Sequence, residues 1–299
     1  MPPPAAGAIG LVHKPVGPSS FARLNEVIGP PGAPGRPKAC HGGALDPFAD
    51  GLLLVLVGWG TYLFEALHRL PKTYVAEVVW GTETDNGDPT GRVVAQGSAA
   101  PLAGCDLDQA LAPFLGWTEQ VPPITSNKRV GGEPAWRRAH RGEAVELPPS
   151  RVYLHAARWL AHDLPRRSRL ELTSAGGYYV RAMVRDLGRA LGVPAHVGAL
   201  RRTDIGPFGL DRAGAWLRGT DAVTWLPSTV LSDPDWNRLR GTRALGPVAV
   251  TPPRWTPPGG FPYAPDLVVG TRKGGPAALL EPVEGGYRAR ATWTPTPPR

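Results

Sequence analysis

The chain is poor in sulfur and in lysine. Two cysteines, Cys40 and Cys105, and two methionines occur in 299 residues. With only two cysteines and no metal-type spacing, neither a disulfide framework nor a zinc site is suggested, and a reducing cytoplasm is the expected setting. No uncharged apolar run reaches about 18 residues, so no membrane-spanning helix is predicted. The opening MPPPAAGAIGLVHKP lacks the basic-then-apolar layout of a secretion signal. Lysine is confined to Lys14, Lys38, Lys72, Lys128 and Lys273, so the net charge of +8 and the pI of 9.9 are nearly all arginine. Arginine forks onto phosphate and stacks on bases, which points to a polyanionic partner, nucleic acid first. The abundance of Ala, Gly and Pro matches the arginine bias of a GC-rich genome, so charge supports that partner without establishing it.

What is present is a globular composition, 42 % apolar, over a length that suits one large domain and one small one. Phe21, Leu24, Val27 and Ile28 form one face of a predicted helix over 20–28, with Ser19 or Ser20 as its cap and Gly29-Pro30 as its stop. A helix is read over 60–70. From Thr73 to Trp80 the residues alternate as in a strand, with Tyr74, Ala76, Val78 and Trp80 on one side. A second strand is expected near 92–95, and a helix capped by Asp106 and closed by Gly116. The segment 122–142 is basic and poorly apolar. Strands at 152–160 and 168–173 precede a helix over 182–191, with Met183, Val184, Leu187 and Leu191 inward. Proline and glycine density rises after about Leu226, with strand-like pieces at 267–269, 278–280 and 287–293. These predict a small β-rich domain at 229–299, after a first domain at 1–228.

Chemistry concentrates in the stretch HGGALDPFADGLL, from His41 to Leu53. One carboxylate, Asp46, stands between the flexible Gly42-Gly43 pair and the rigid Pro47, ahead of an apolar strand. A lone loop aspartate is usually a turn former. Further segments give it company: VHKPVGPSSF (12–21), LPKTYVAEVVWGTETDNGDPTG (70–91), QVPPITSNKRVGGEPAWRRAHRG (120–142), SAGGYYVRAMVRDLG (174–188) and LRRTDIGPF (200–208). In type and order they resemble the TruB family of pseudouridine synthases, whose signatures run roughly DKPxGxTSF, GHTGTLDPLATG, KxYxxxxxLGxxTDTxD, QxPPxySAxKxxGxxxYxxARxG, SxGTYIRxLxxDLG and LRRTxxGxF. The likeness covers about 10–210. The chain departs from it at His13, Gly42, Ala44, Arg129, Trp136 and His140. None of these replaces the carboxylate, the strand tyrosine or the helix arginine.

The resemblance implies an α+β fold, a mixed and largely antiparallel central sheet flanked by helices, with a PUA-like C-terminal domain. It implies conversion of uridine to pseudouridine at position 55, in the T arm of tRNA. A carboxylate serves such a reaction as nucleophile, as stabiliser of positive charge at C1′, or as base at the ribose. The resemblance makes Asp46 that carboxylate, Arg181 the guanidinium that pairs with it, and Tyr74 the ring that stacks on the target uracil. His41 becomes the side chain that enters the RNA when the base leaves its stack. Lys14 shapes the site, Tyr179 and Leu200 line the pocket, and Lys128 and Arg129 lie in an RNA-contacting insertion at 128–142. No metal or cofactor is implied, since an isomerisation has no net redox change. A tRNA substrate, no membrane, no obligatory protein partner and a monomer complete the expectation. The insertion matches stand-alone members rather than guide-RNA-dependent relatives.

Overall fold

The computed structural model describes residues 7–126, 128–143 and 145–293. In chain order its elements begin with β1 (Ala8–Lys14), α1 (Ser20–Ile28), β2 (Ala39–His41), β3 (Asp50–Val57), α2 (Phe64–Arg69) and β4 (Lys72–Trp80). There follow β5 (Thr82–Thr84), β6 (Val93–Gln96), β7 (Gly116–Gln120), β8 (Arg129–Val130), β9 (Glu133–Pro134), α3 (Ala135–His140), β10 (Ser150–Asp163) and β11 (Arg167–Ser174). The chain continues with α4 (Val180–Ala190), β12 (Ala195–Ile205), β13 (Phe208–Gly209), β14 (Trp216–Leu217), β15 (Ser228–Val230), α5 (Asp233–Thr242), β16 (Ala244–Leu245), β17 (Val268–Arg272), β18 (Gly275–Val283) and β19 (Gly286–Thr292).

Residues group into two compact units, one of 1–45, 51–70 and 205–299, the other of 46–50 and 71–204. In the first, β1 lies antiparallel to β3, with Leu11 opposite Leu54, and β14 flanks β1. Continuous apolar residues from Leu52 to Val57 are buried on both faces. Ser19 accepts the Ala22 N–H at 3.1 Å to cap α1, and Gly29 ends it. A five-stranded sheet ordered β15-β17-β18-β19-β16 belongs to the same unit, with β15 and β17 parallel. Its core of Leu231, Trp236, Leu239, Val268 and Leu280 includes α5, a helix that the β-rich reading of this region missed.

The second unit carries strands in the order β12-β4-β11-β10-β7. The pairs β4–β11, β11–β10 and β10–β7 are antiparallel. Along β4 burial alternates, with Tyr74, Ala76, Val78 and Trp80 inward as the sequence predicts. The amphipathic helix α4 packs over β4, burying Val180, Met183, Val184 and Leu187. One expectation fails here. The helix after Asp106 is only a 3₁₀ segment, Gln109–Phe114, because Pro113 lies inside it and supplies no N–H. The mixed, largely antiparallel architecture agrees with the expected fold class. Among the described residues no helix is long and apolar enough to cross a membrane.

Candidate active site

Asp46 opens a tight turn. Its carbonyl accepts the Ala49 N–H at 3.1 Å, and Pro47 occupies the second position, where a fixed φ favours the turn. Phe48 and Ala49 are buried, so the carboxylate stands on braced backbone immediately before β3. Its side chain keeps 37 % exposure.

Arg181 meets it from the first turn of α4. The guanidinium is 3 % exposed, and its Nε donates to the Asp46 carboxylate at 2.9 Å. Nη1 donates to the Asn86 carbonyl and to the Thr125 hydroxyl, each at 2.7 Å, and Nη2 to the Thr125 carbonyl at 3.1 Å. Asp88, 7 % exposed, places one oxygen 3.5 Å from Nη1. That distance is a charge contact more than a hydrogen bond. Its other oxygen accepts from Asn86 Nδ2, the Thr90 N–H and the Thr90 hydroxyl. A buried guanidinium is tolerated only when its charge and donors are met. Here the Asp46 and Asp88 carboxylates and three neutral acceptors do that, while Asp46 keeps partial exposure. Gly87 permits the approach: its φ is +75°, and a Cβ there would come within 3.2 Å of Arg181 Cβ.

Tyr179 precedes α4, whose start has no side-chain cap of its own. Gln120, at the end of β7, takes its place. Gln120 Oε1 accepts the Tyr179 N–H at 2.8 Å while Nε2 donates to the Tyr179 carbonyl at 3.0 Å. Burial pushes the Tyr179 phenol above its usual pKa; the Arg181 charge opposes this and the Asp46 charge adds to it. Tyr179 is thus within electrostatic reach of both partners.

Asp46 and Arg181 therefore meet directly, and Tyr179 stands two residues before Arg181 at the start of α4. Tyr74 and Leu200 lie buried on the adjacent strands β4 and β12 of the same unit, with Leu172 of β11 opposite Tyr74. Burial, and secondarily the Arg202 charge, push the Lys72 amine down to about 7. Lys128 and Arg129 are exposed at the β8–β9 hairpin, where Arg129 donates to the Gly132 carbonyl. Lys14 and His41 belong to the first unit. Lys14 is fully buried at the end of β1 and donates to the Pro15 carbonyl at 3.0 Å; His41 is half-buried at the end of β2, opposite Val55. An open recess bordered by Asp50, Val75, Glu77, Arg169, Leu200 and Arg201 lies on the β4 face of Val75 and Glu77, away from Tyr74, so the structure places the predicted pocket residue Leu200 at this recess.

Sequence reasoning missed Asp88 as the inner counter-charge, Thr125 as a double acceptor and Gln120 as the clasp on Tyr179. Asp88 was visible in the TETDNGD run but reads there as a turn residue. Among the described residues no group of three or more His, Cys, Asp or Glu is placed to hold a metal ion.

Comparison with known proteins gives two adjoining family matches. Residues 33–180 match the N-terminal domain model of the TruB family pseudouridylate synthases, and 181–217 match a tRNA pseudouridylate synthase B C-terminal domain. A tRNA pseudouridine synthase B of Bordetella avium is 40 % identical over 208 residues, 68 % of this chain and 82 % of that protein. One from Xanthomonas campestris pv. campestris is 42 % identical over 171 residues, 57 % of this chain and 55 % of that protein. In fold, the chain is similar to a structure described as a Cbf5-Nop10-Gar1 complex, with a TM-score of 0.65 at 21 % identity over 96 % of this chain and 85 % of that one.

Proposed function

Because the chain belongs to the TruB family of pseudouridylate synthases, we propose that Asp46 is its catalytic carboxylate and that its target is the uridine at position 55 in the T arm of tRNA. The enzyme is an isomerase that converts uridine to pseudouridine in tRNA. The reaction breaks the C1′–N1 bond, turns the uracil in place, forms C1′–C5, and moves a proton from C5 to N1. Atoms and electrons balance within the nucleotide, so no redox partner is needed.

The observation that carries the reading is the geometry at Asp46: a carboxylate oriented by a buried guanidinium and still 37 % exposed. A partly exposed carboxylate on rigid support suits work at a ribose carbon, because orientation is settled before substrate arrives. In this reading Arg181 fixes Asp46, and Tyr74 offers a ring face and hydroxyl to the flipped uracil. Tyr179 and Leu200 close the pocket, Lys14 shapes it, and His41 fills the space the base leaves. Lys128 and Arg129 contact phosphate. Residues 1–228 act as the catalytic domain and 229–299 as a PUA-like RNA-binding attachment. The protein works as a cytoplasmic monomer without an obligatory protein partner.

Asp46→Asn keeps the shape of the side chain and removes its charge. Unmodified tRNA transcript incubated with this variant is expected to yield no pseudouridine by chemical labelling, while tRNA binding persists. Turnover near the parent rate would remove Asp46 from the chemistry. Primer extension across the labelled product reads the position, and a stop outside the T arm would overturn that assignment.

A further inference from the structure

The Asp46 turn is held at both of its ends. Arg181 holds Asp46, as described. At the other end Asp50, 16 % exposed, meets Arg201 of β12. Arg201 Nε lies 3.1 Å from each Asp50 oxygen, and Nη2 donates to Oδ2 at 2.8 Å. This is a forked contact, which fixes the relative orientation of two groups as well as their distance. The residues between the two anchors are a closed turn with buried Phe48 and Ala49. Little slack is left, so a shift at Asp50 is passed to Asp46.

The second anchor also has a definite destination. Arg201 neighbours Leu200 on β12. Two residues further, the Thr203 hydroxyl donates to the Thr73 carbonyl at 3.3 Å, next to Tyr74 on β4. A short mechanical route thus runs from the Asp46 turn through Asp50, Arg201 and β12 to the strand that carries Tyr74. The route through Arg181 runs instead to α4. Two independent anchors on two different elements are what is needed to fix a carboxylate in both distance and direction. The family signature quoted above carries threonine at the place of Asp50, so here a carboxylate meets Arg201 where the signature has a hydroxyl.

We propose that the Asp50–Arg201 pair is a positioning clasp that sets the Asp46 carboxylate against Tyr74, acting on the rate of isomerisation and not on tRNA affinity. The proposal rests on the reading of Asp46 as the catalytic carboxylate. Arg201 is 58 % exposed, so its competing role is a plain phosphate contact. Its other competing role is a plain surface ion pair, of small consequence for anything.

The test uses the full chain and unmodified tRNA transcript. Asp50→Asn, Arg201→Gln, the double variant, and the swap of Asp50→Arg with Arg201→Asp are compared with Asp46→Asn. Three readouts are taken: the single-turnover rate, the tRNA Kd at two salt concentrations, and the Tm. Each single variant is expected to lose about 10-fold or more in rate, with Kd unchanged within about twofold. The double variant is expected to be no slower than the singles, because one contact is lost in all three. The swap is expected to recover part of the rate. Arg201→Lys, which keeps charge and loses the fork, should fall between and guards against misfolding of the harsher variants. Three results would overturn the clasp: unchanged rates with a lowered Tm, a weaker and less salt-dependent Kd in Arg201→Gln but not in Asp50→Asn, or additive losses in the double variant. An active Asp46→Asn would instead overturn the underlying assignment. An inactive Asp46→Asn beside full-rate clasp variants would sink the clasp alone.

Discussion

Two clusters of arginine and carboxylate in this protein use the same groups at comparable distances in different surroundings. Around Arg181 the guanidinium is 3 % exposed and its partners come from three separate segments. In the segment 128–143, Arg141 is 50 % exposed and meets Glu133 at 2.7 Å and Glu143 at 2.6 Å, with Arg138 on Glu143 at 2.7 Å. Hydrogen bonding to Arg141 holds the carboxyls of Glu133 and Glu143 below their usual range. All four side chains nevertheless remain partly exposed to water. Distance alone does not separate the clusters; burial of the guanidinium does. A buried pair cannot exchange partners without a large penalty, so it fixes geometry. An exposed pair exchanges partners readily, and a phosphate can replace either carboxylate on the same arginine.

The sharpest way to break the comparison is to remove the buried cation. Arg181→Met leaves Asp88 buried without its cation and frees Asp46. A loss of about 3 kcal/mol in unfolding free energy is expected, the lower end for breaking a buried pair, since Asp46 can still reach water. Pseudouridine formation should fall by about 100-fold or more, because the carboxylate loses its bearing. Urea unfolding and single-turnover rates measure both. Loss of rate with unchanged stability would show that Arg181 is not the structural centre its burial implies.

Lys72 tests what burial does to a cation in a different setting. Its amine is pushed down to about 7, first by burial and then by Arg202. A folded-state value below the ordinary 10.5 means that the native protein binds fewer protons than the unfolded chain between about pH 7 and 10.5. Stability from this group should therefore rise with pH across that window and carry its full penalty below it. The slope approaches about 1.4 kcal/mol per pH unit. Lys72→Met should remove the slope. An equally steep dependence in the variant would assign it to another group.

How much of this could be read beforehand depended on range. Local signals were reliable: Ser19 and Gly29 bracket α1, and strict alternation marks β4. The helix α5 was also legible and was passed over. Ser232 and Asp235 form a reciprocal capping box with Pro234 in the first turn, a signature hidden by the surrounding proline and glycine. The Arg181 cluster was legible only in part. Resemblance paired Asp46 with Arg181, but the Thr125 acceptors come from 56 residues away and the Asn86 carbonyl from 95. No period or spacing encodes a backbone carbonyl as the ligand of a distant side chain. Gln120 was likewise invisible, because a lone glutamine at a strand end carries no pattern until the strand is placed beside α4.

The mildest perturbation falls on the exposed cluster and asks whether it is free to trade partners. Arg141→Gln removes a cation that the fold does not bury, so Tm and single-turnover rate at saturating tRNA should be unchanged. If phosphate displaces Glu133 or Glu143 from Arg141 when RNA binds, the variant loses one counterion-releasing contact. Its tRNA affinity should weaken at low salt, and the dependence of log Kd on log salt should become shallower by about 0.7 to 0.9. Glu133→Gln should act the other way: removing the competing carboxylate leaves Arg141 more available, so affinity at low salt should rise slightly. Opposite signs from the two halves of one ion pair are the outcome that a purely structural pair cannot give. If both substitutions weaken binding equally, the insertion's ion pairs hold its shape, and the two clusters differ in exposure but not in purpose.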